Sequence, residues 1–161
     1  MNLSASSAYD PTRENLLGAV GIATMVTRPG DTAAAIGDGD LAMLSTSFLL
    51  RLMESASHTA ISDFLDLTET SVTNQFECHI ESIVGIGIDL NATATVVALD
   101  EKDGNEAIVF QCEVFYGTRR VATGMLQREI VERIRYAAKV AALSVLAQNE
   151  IQEQDSTNFK N

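Results

Sequence analysis

The feature that most constrains this chain is a helix-forming stretch with almost no polar face, followed by a series of strand-forming runs. Ser45, Thr46 and Ser47 are all of N-cap type, and good helix formers run unbroken through Leu49–Ile61. On a helical wheel, Phe48, Leu49, Leu50, Leu52, Met53, Ala56, Ala60 and Ile61 cover well over half the circumference. A surface helix shows an apolar stripe of roughly 100° or somewhat more, so this one is expected to be wrapped on several sides. Glu54 falls at the edge of the arc, beside Leu50 and Ile61. It is either a site carboxylate or one rung of a surface ladder, Arg51–Glu54–His58.

The flanking patterns say what does the wrapping. Met1–Glu14 is a polar leader, and Leu16–Thr27 is an apolar run rich in Val, Ile and Thr. Arg28-Pro29-Gly30-Asp31 ends that run as a turn. Thr32–Ile36 reads as a short strand and Gly37-Asp38-Gly39-Asp40 as a loop before the helix, which ends near Asp63–Leu67. Beyond it the spacing changes to alternation. Phe76, Cys78 and Ile80 share one side of a strand, and Gln75, Glu77, His79 and Glu81 the other. Gly85 and Gly87 mark a bend, and Ile88–Leu99 is a second long strand. Asp100–Asn105 is a hairpin turn containing Asp103-Gly104. In the third strand, Ala107–Tyr116, the residues Ile108, Phe110, Cys112, Val114 and Tyr116 share a face. Gly117–Arg120 turns the chain into a fourth strand, Val121 towards Val131.

The predicted fold class is therefore α+β, an antiparallel sheet curled around a central helix. Arg133–Gln148 reads as a second helix, with Tyr136, Val140, Leu143 and Ala147 at helical spacing, and Gln148–Asn161 as a flexible polar tail. The expected organisation is a leader over 1–14, one domain over 15–133, and a helix with tail over 134–161.

Composition excludes several functions. A formal net charge of −11 argues against a general nucleic-acid binder, which needs a basic footprint. No apolar run approaches the ~20 residues of a membrane span, and no basic segment leads into an apolar one at the start. The two cysteines, Cys78 and Cys112, sit among apolar neighbours and read as buried reduced thiols of a cytoplasmic protein. No Cys and His set has metal-ligand spacing, so neither a metal nor another cofactor is expected. One segment runs against the overall charge: Arg119, Arg120, Arg128, Arg133, Arg135 and Lys139 crowd together against only Glu129 and Glu132. These charges either cover a helix surface or form a landing site for a small polyanion.

Three segments resemble the fluoroacetyl-CoA-specific thioesterase family of hot-dog proteins, in order and separation. Leu44–Glu54 is similar to the family's helix-opening segment, Phe76-Glu77-Cys78-His79 to a strand that carries its histidine, and Gly124–Arg128 with Ile130-Val131 to its closing strand. The resemblance spans roughly Leu16–Arg133. It implies the hot-dog fold, an acyl-CoA substrate, and catalytic roles for Thr46, Glu54 and His79, with Arg128 on the family's arginine. Val72 stands where the family places a glycine, seven residues before the histidine. Asp40–Leu44 stands where the namesake enzyme gates its pocket with phenylalanines, so fluoroacetyl selectivity is not implied.

The chemistry fits those residue types. Thioester hydrolysis needs a nucleophile or activated water, a base, and donors at the forming oxyanion. Glu54 fits the nucleophile or base, and an imidazole carries protons near neutral pH. Thr46 offers a hydroxyl beside free N–H groups at a helix start. His58, one turn beyond Glu54, competes with His79 for the histidine role. Arg119, Arg120 and Arg128 are the expected contacts for coenzyme A phosphates. The expected activity is an acyl-CoA thioesterase, and the alternative is a non-catalytic acyl-CoA sensor or carrier. Hot-dog hydratases are disfavoured, because Met53 and Asn74 stand where that motif needs Asp five residues before a histidine. Thr46 and Glu54 are eight residues apart. That spacing predicts either a bent loop at Thr46 or a homodimer sharing its sites between subunits.

Overall fold

The computed structural model describes residues 11–158, apart from Asp103. Its centre is helix α2 (Thr46–Ile61), and five strands form one antiparallel sheet against it: β1 (Val20–Val26), β2 (Glu69–Ile80), β3 (Asp89–Lys102), β4 (Asn105–Tyr116) and β5 (Arg119–Glu132). The spatial order is β1-β3-β4-β5-β2, so β1 and β2 are the two edges. Helix α1 (Ala33–Ile36) lies in the connection before α2, and α3 (Arg133–Asn158) follows β5. This is the expected sheet curled around one helix. No helix among the described residues is long and apolar enough to cross a membrane.

Burial along α2 explains why the sheet closes on it. Leu49, Leu52, Met53, Ala56, Ala60 and Ile61 are buried against inward-facing Ala92, Ala94, Val96, Phe110, Cys112 and Leu126. Small residues let the helix come close. A Cβ at Gly21 of β1 would overlap Ala56 O and Ala60 N of α2. A Cβ at Gly124 of β5 would lie 3.0 Å from Met53 Sδ and 2.8 Å from Glu77 O.

Several local expectations change. Thr32–Ile36 is not a strand: the Thr32 side chain caps α1 by accepting from Ala35 N–H at 3.2 Å, and Gly37 ends it at φ 85°. Three consecutive alanines favour that single helical turn over extension. Only Thr32 itself pairs with a strand-like neighbour, Leu44. Tyr116, at the end of β4 where β5 bulges by one residue at Val121, is exposed and not buried with Ile108, Phe110, Cys112 and Val114. The tail expected from Gln148 is helical through Asn158, while 159–161 lie outside the described residues. The leader's first ten residues also lie outside them. Its remainder opens a 3-10 turn, Pro11–Leu16, that Arg13 pins to Glu69 and Glu106. In the hairpin turn, Asp103 is outside the described residues and Gly104 has φ 81°.

The α2–β1 contact gives the first prediction. Gly21→Val should destabilise the domain by about 1–3 kcal/mol, because Ala56 and Ala60 present backbone that cannot rotate away. Urea unfolding measures it, and an unchanged midpoint would mean α2 does not sit this deep.

Candidate active site

The start of α2 is tied to the far end of β2. Leu44 N–H donates to the Val84 carbonyl at 2.8 Å, in the loop that follows β2. Ser45 is the N-cap, its hydroxyl accepting from Ser47 N–H at 3.2 Å. Thr46 is the first helical residue and is exposed. Asp38, read from sequence only as part of a loop, accepts hydroxyl hydrogen bonds from Ser45 and, at 2.7 Å, from Ser47. These bonds, Ser45 first, hold its carboxyl below the usual carboxylate range and set a negative charge at the helix N-terminus. An Asp-x-x-x-x-x-x-Ser-x-Ser spacing carries no helical or strand period, so nothing in the local pattern points to it.

Two turns further along, Glu54 is half-buried on the flank of α2 that faces β5 and β2. Three residues on, buried Ser57 shares that flank, and its hydroxyl lies 3.4 Å from Arg128 Nη1. Arg128 is 8% exposed. Its Nε donates to Ser71 Oγ at 2.9 Å, Nη2 to the Ser71 carbonyl at 3.1 Å, and Nη1 to Thr73 Oγ1 at 3.2 Å. Burial lowers its pKa, and the nearby charge of Glu54 acts in the opposite direction. Among the described residues, no carboxylate hydrogen-bonds this guanidinium. Hydroxyls and a carbonyl hold it in place, and Glu54 supplies the neighbouring negative charge.

His79 lies on the other side of the sheet. Ser71 and Thr73 pair with Ile130 and Arg128 and face α2, but the register shifts between Thr73 and Gln75. After that shift Phe76 and Cys78, opposite Leu126 and Gly124, face α2. His79, opposite Thr123, faces away and is exposed. Among the described residues, no hydrogen bond or ion pair joins Thr46, Glu54 and His79 within the chain. His58 is exposed on Glu54's side of the sheet, four residues further along α2. Because α2 is continuous from Thr46, the bent-loop geometry is not present. Thr46 and Glu54 are ~12 Å apart along one axis.

The expected phosphate contacts divide. Arg128 is enclosed as described, so its guanidinium does not line the surface. Arg120 is held by Glu81 at 2.9 Å and by Glu113 at 3.2 Å. Arg119 is exposed where β5 begins and, among the described residues, makes no ion pair. Val72 is half-buried on the edge strand, opposite Glu129. Among the described residues, clefts also lie elsewhere. One of about 350 Å³ opens between Phe48, Arg51, Leu52 and the end of β1, on the flank of α2 away from Glu54. Another of about 550 Å³ lies beneath the Pro11–Leu16 turn.

Against this geometry, the model of the fluoroacetyl-CoA-specific thioesterase matches residues 26–134. The chain belongs to the fluoroacetyl-CoA-specific thioesterase family. Solved structures agree at the level of fold. A fluoroacetyl-CoA thioesterase variant in complex with acetyl-CoA superposes with a TM-score of 0.71 at 17% identity, covering 78% of this chain and 96% of that one. A Thermus thermophilus thioesterase superfamily member gives 0.74 at 16% identity, covering 83% and 96%. A hot-dog-like protein from Thermanaerovibrio acidaminovorans gives 0.70 at 20%, covering 81% and 95%. No curated protein matches the sequence. The fold is thus the hot-dog fold, and the family's chemistry is thioester hydrolysis.

Cysteine does not supply a nucleophile here. Cys112 is fully buried, and burial, with the adjacent Cys78 as a smaller cause, pushes its thiol up to about 12. Cys78 is half-buried rather than fully so, and burial raises it too. A thiol that stays protonated is a poor nucleophile. Iodoacetamide at pH 8 should leave Cys112 unlabelled until the protein is unfolded, as read by peptide mass. Labelling of the native protein at the rate of a free thiol would show that the core opens.

Arg128 gives a third prediction. Arg128→Lys keeps the charge but loses the fork that reaches Ser57, Ser71 and Thr73 together, so it should cost about 2–4 kcal/mol in denaturant unfolding. A loss under ~1 kcal/mol would mean that the hydroxyl cage is not what holds the charge.

Proposed function

We propose that this protein hydrolyses a small acyl-CoA thioester. Glu54 is the nucleophile or general base, Thr46 assists at the oxyanion, and His79 carries the proton. The observation that best supports the reading is a half-buried Glu54 beside a buried, rigidly held Arg128 in a chain of this family. That guanidinium gives the carboxylate a fixed countercharge without blocking it with a hydrogen bond. Thr46 adds a hydroxyl at the positive end of the α2 dipole. The reading needs no metal or redox cofactor and takes the protein as cytoplasmic, where coenzyme A thioesters occur.

One chain alone does not complete this site. Reacting groups must meet within about 3–3.5 Å, and Thr46, Glu54 and His79 of one chain do not. We therefore take the working unit as a homodimer. β2 is a 12-residue edge strand, the kind of edge that a second copy pairs with, and it bears both Val72 and His79. Arg119, close to the His79 end of β2, would meet coenzyme A phosphates, with Arg120 assisting if it leaves Glu81.

Two other readings have an observation each. His58 is on Glu54's side of the sheet, which favours it as the proton carrier. The outward face of His79 favours the non-catalytic reading, in which acyl-CoA is bound and not turned over.

A panel of short acyl-CoAs with a thiol reagent separates these readings. Turnover is expected for at least one, and Glu54→Ala should remove most of it in a folded protein. His79→Ala should do the same. If His58→Ala is inactive and His79→Ala fully active, the histidine role belongs to His58. Thr46→Ala should lose ~10²-fold. Mixing inactive Thr46 and Glu54 variants should partly restore activity if the site is shared. Arg119→Glu should raise KM more than it lowers kcat, and an unchanged KM removes that contact. No turnover of any acyl-CoA, with binding retained, would leave the carrier reading.

A further inference from the structure

All of helix α3 after its first two residues lies beyond those that the family model matches, which end at Ile134, and little of the domain covers it. Every described side chain from Arg133 to Gln152 is exposed except Tyr136, which is half-buried. Leu143 and Leu146 are 56% and 57% exposed, and Ile151 is 59% exposed. In proteins a helix takes most of its stability from packing of an apolar face, and α3, 26 residues and ~39 Å long, has almost none of that within its own chain. Tyr136, Val140, Leu143, Ala147 and Ile151 recur at intervals of three and four, a seam running most of its length.

Charge identifies what covers that seam. Arg133, Arg135 and Lys139 open the helix, Glu150, Glu153 and Asp155 close it, and no basic residue lies between Lys139 and Asn158. This is the reverse of what a helix dipole favours. In a lone helix each misplaced terminal charge works against the fold. Set antiparallel against an identical helix, the same arrangement becomes complementary, with each basic half beside the other's acidic half. Antiparallel pairing is also what a two-fold axis produces from one surface meeting itself. The helix leaves β5 at Glu132, opposite Glu69 on edge strand β2, so it starts at an open side of the sheet.

We infer that α3 is a self-association helix, pairing antiparallel with α3 of a second copy of this chain. The helices cross near Leu143 and Ser144, which brings Tyr136 of one copy beside Ile151 of the other. The inference does not rest on the thioesterase reading, and neither acyl-CoA nor activity enters its test.

Cross-linking of the full chain decides it. In a Cys78→Ser background, chains carrying Tyr136→Cys and chains carrying Ile151→Cys are mixed and mildly oxidised. A disulfide-linked heterodimer should form at least tenfold more than either self-linked dimer. Adding Arg135→Glu and Lys139→Glu to both chains should cut that yield several-fold, and further adding Glu150→Lys and Glu153→Lys should restore it. Circular dichroism checks that each variant is folded. Self-linking through Tyr136→Cys alone would show parallel pairing and overturn the inference. So would the absence of any linked dimer, which would mean that α3 is bare, folded onto its own domain, or covered by another partner. A heterodimer yield indifferent to the charge swaps would remove the argument that selects the antiparallel pair.

Discussion

Everything in this domain depends on how closely α2 lies against the sheet. The backbone of β1 at Gly21 touches the backbone of α2 at Ala56 and Ala60, and Met53 rests over Gly124 of β5. Side chains of ordinary size at those points would lift the helix outward. Ser57 would then no longer meet Arg128, and the half-buried setting of Glu54 would open. The contact therefore sets both the depth of the core and the place of the carboxylate.

A second constraint is a single shift of register in β2. Side chains alternate between faces, so one extra residue exchanges the two faces for the rest of the strand. Before the shift, Ser71 and Thr73 turn inward, and their oxygens make a buried guanidinium tolerable. After it, Phe76 and Cys78 turn inward and His79 turns out. The same irregularity thus builds the Arg128 cage and removes His79 from Glu54's side. This is why a second chain, or His58, enters the functional argument.

The domain and its last helix follow different rules. The domain has a buried core of its own, whereas α3 adds no buried residue to it among the described side chains and sets its charges against its own dipole. A helix with those properties makes sense in an assembly and little sense alone. Its addition after the closing strand leaves the shared part of the fold unchanged.

The sequence by itself determined the long helix, the four long strands after it, and which residues within each strand share a face. Those features follow from local periodicity: 3.6 residues per turn for Leu49–Ile61, and two for runs such as Ile108–Val114. Thr46, Glu54 and His79 were legible as residue types at matching separations, which is why the family was recognisable. Tertiary structure decided which of them meet. Alternation within Phe76–Glu81 was readable, but which face lies against α2 depends on pairing with β5 and on a bulge that no residue type announced. Arg128 looked like a surface charge because a basic cluster in sequence does not show burial, and its cage comes from Ser57 and Ser71, 71 and 57 residues away. Asp38 bracing the α2 N-cap through Ser45 and Ser47, and Thr32 starting a helical turn, were hidden for the same reason. Hydrogen bonds between loops and caps have no period, so only the folded chain brings them together.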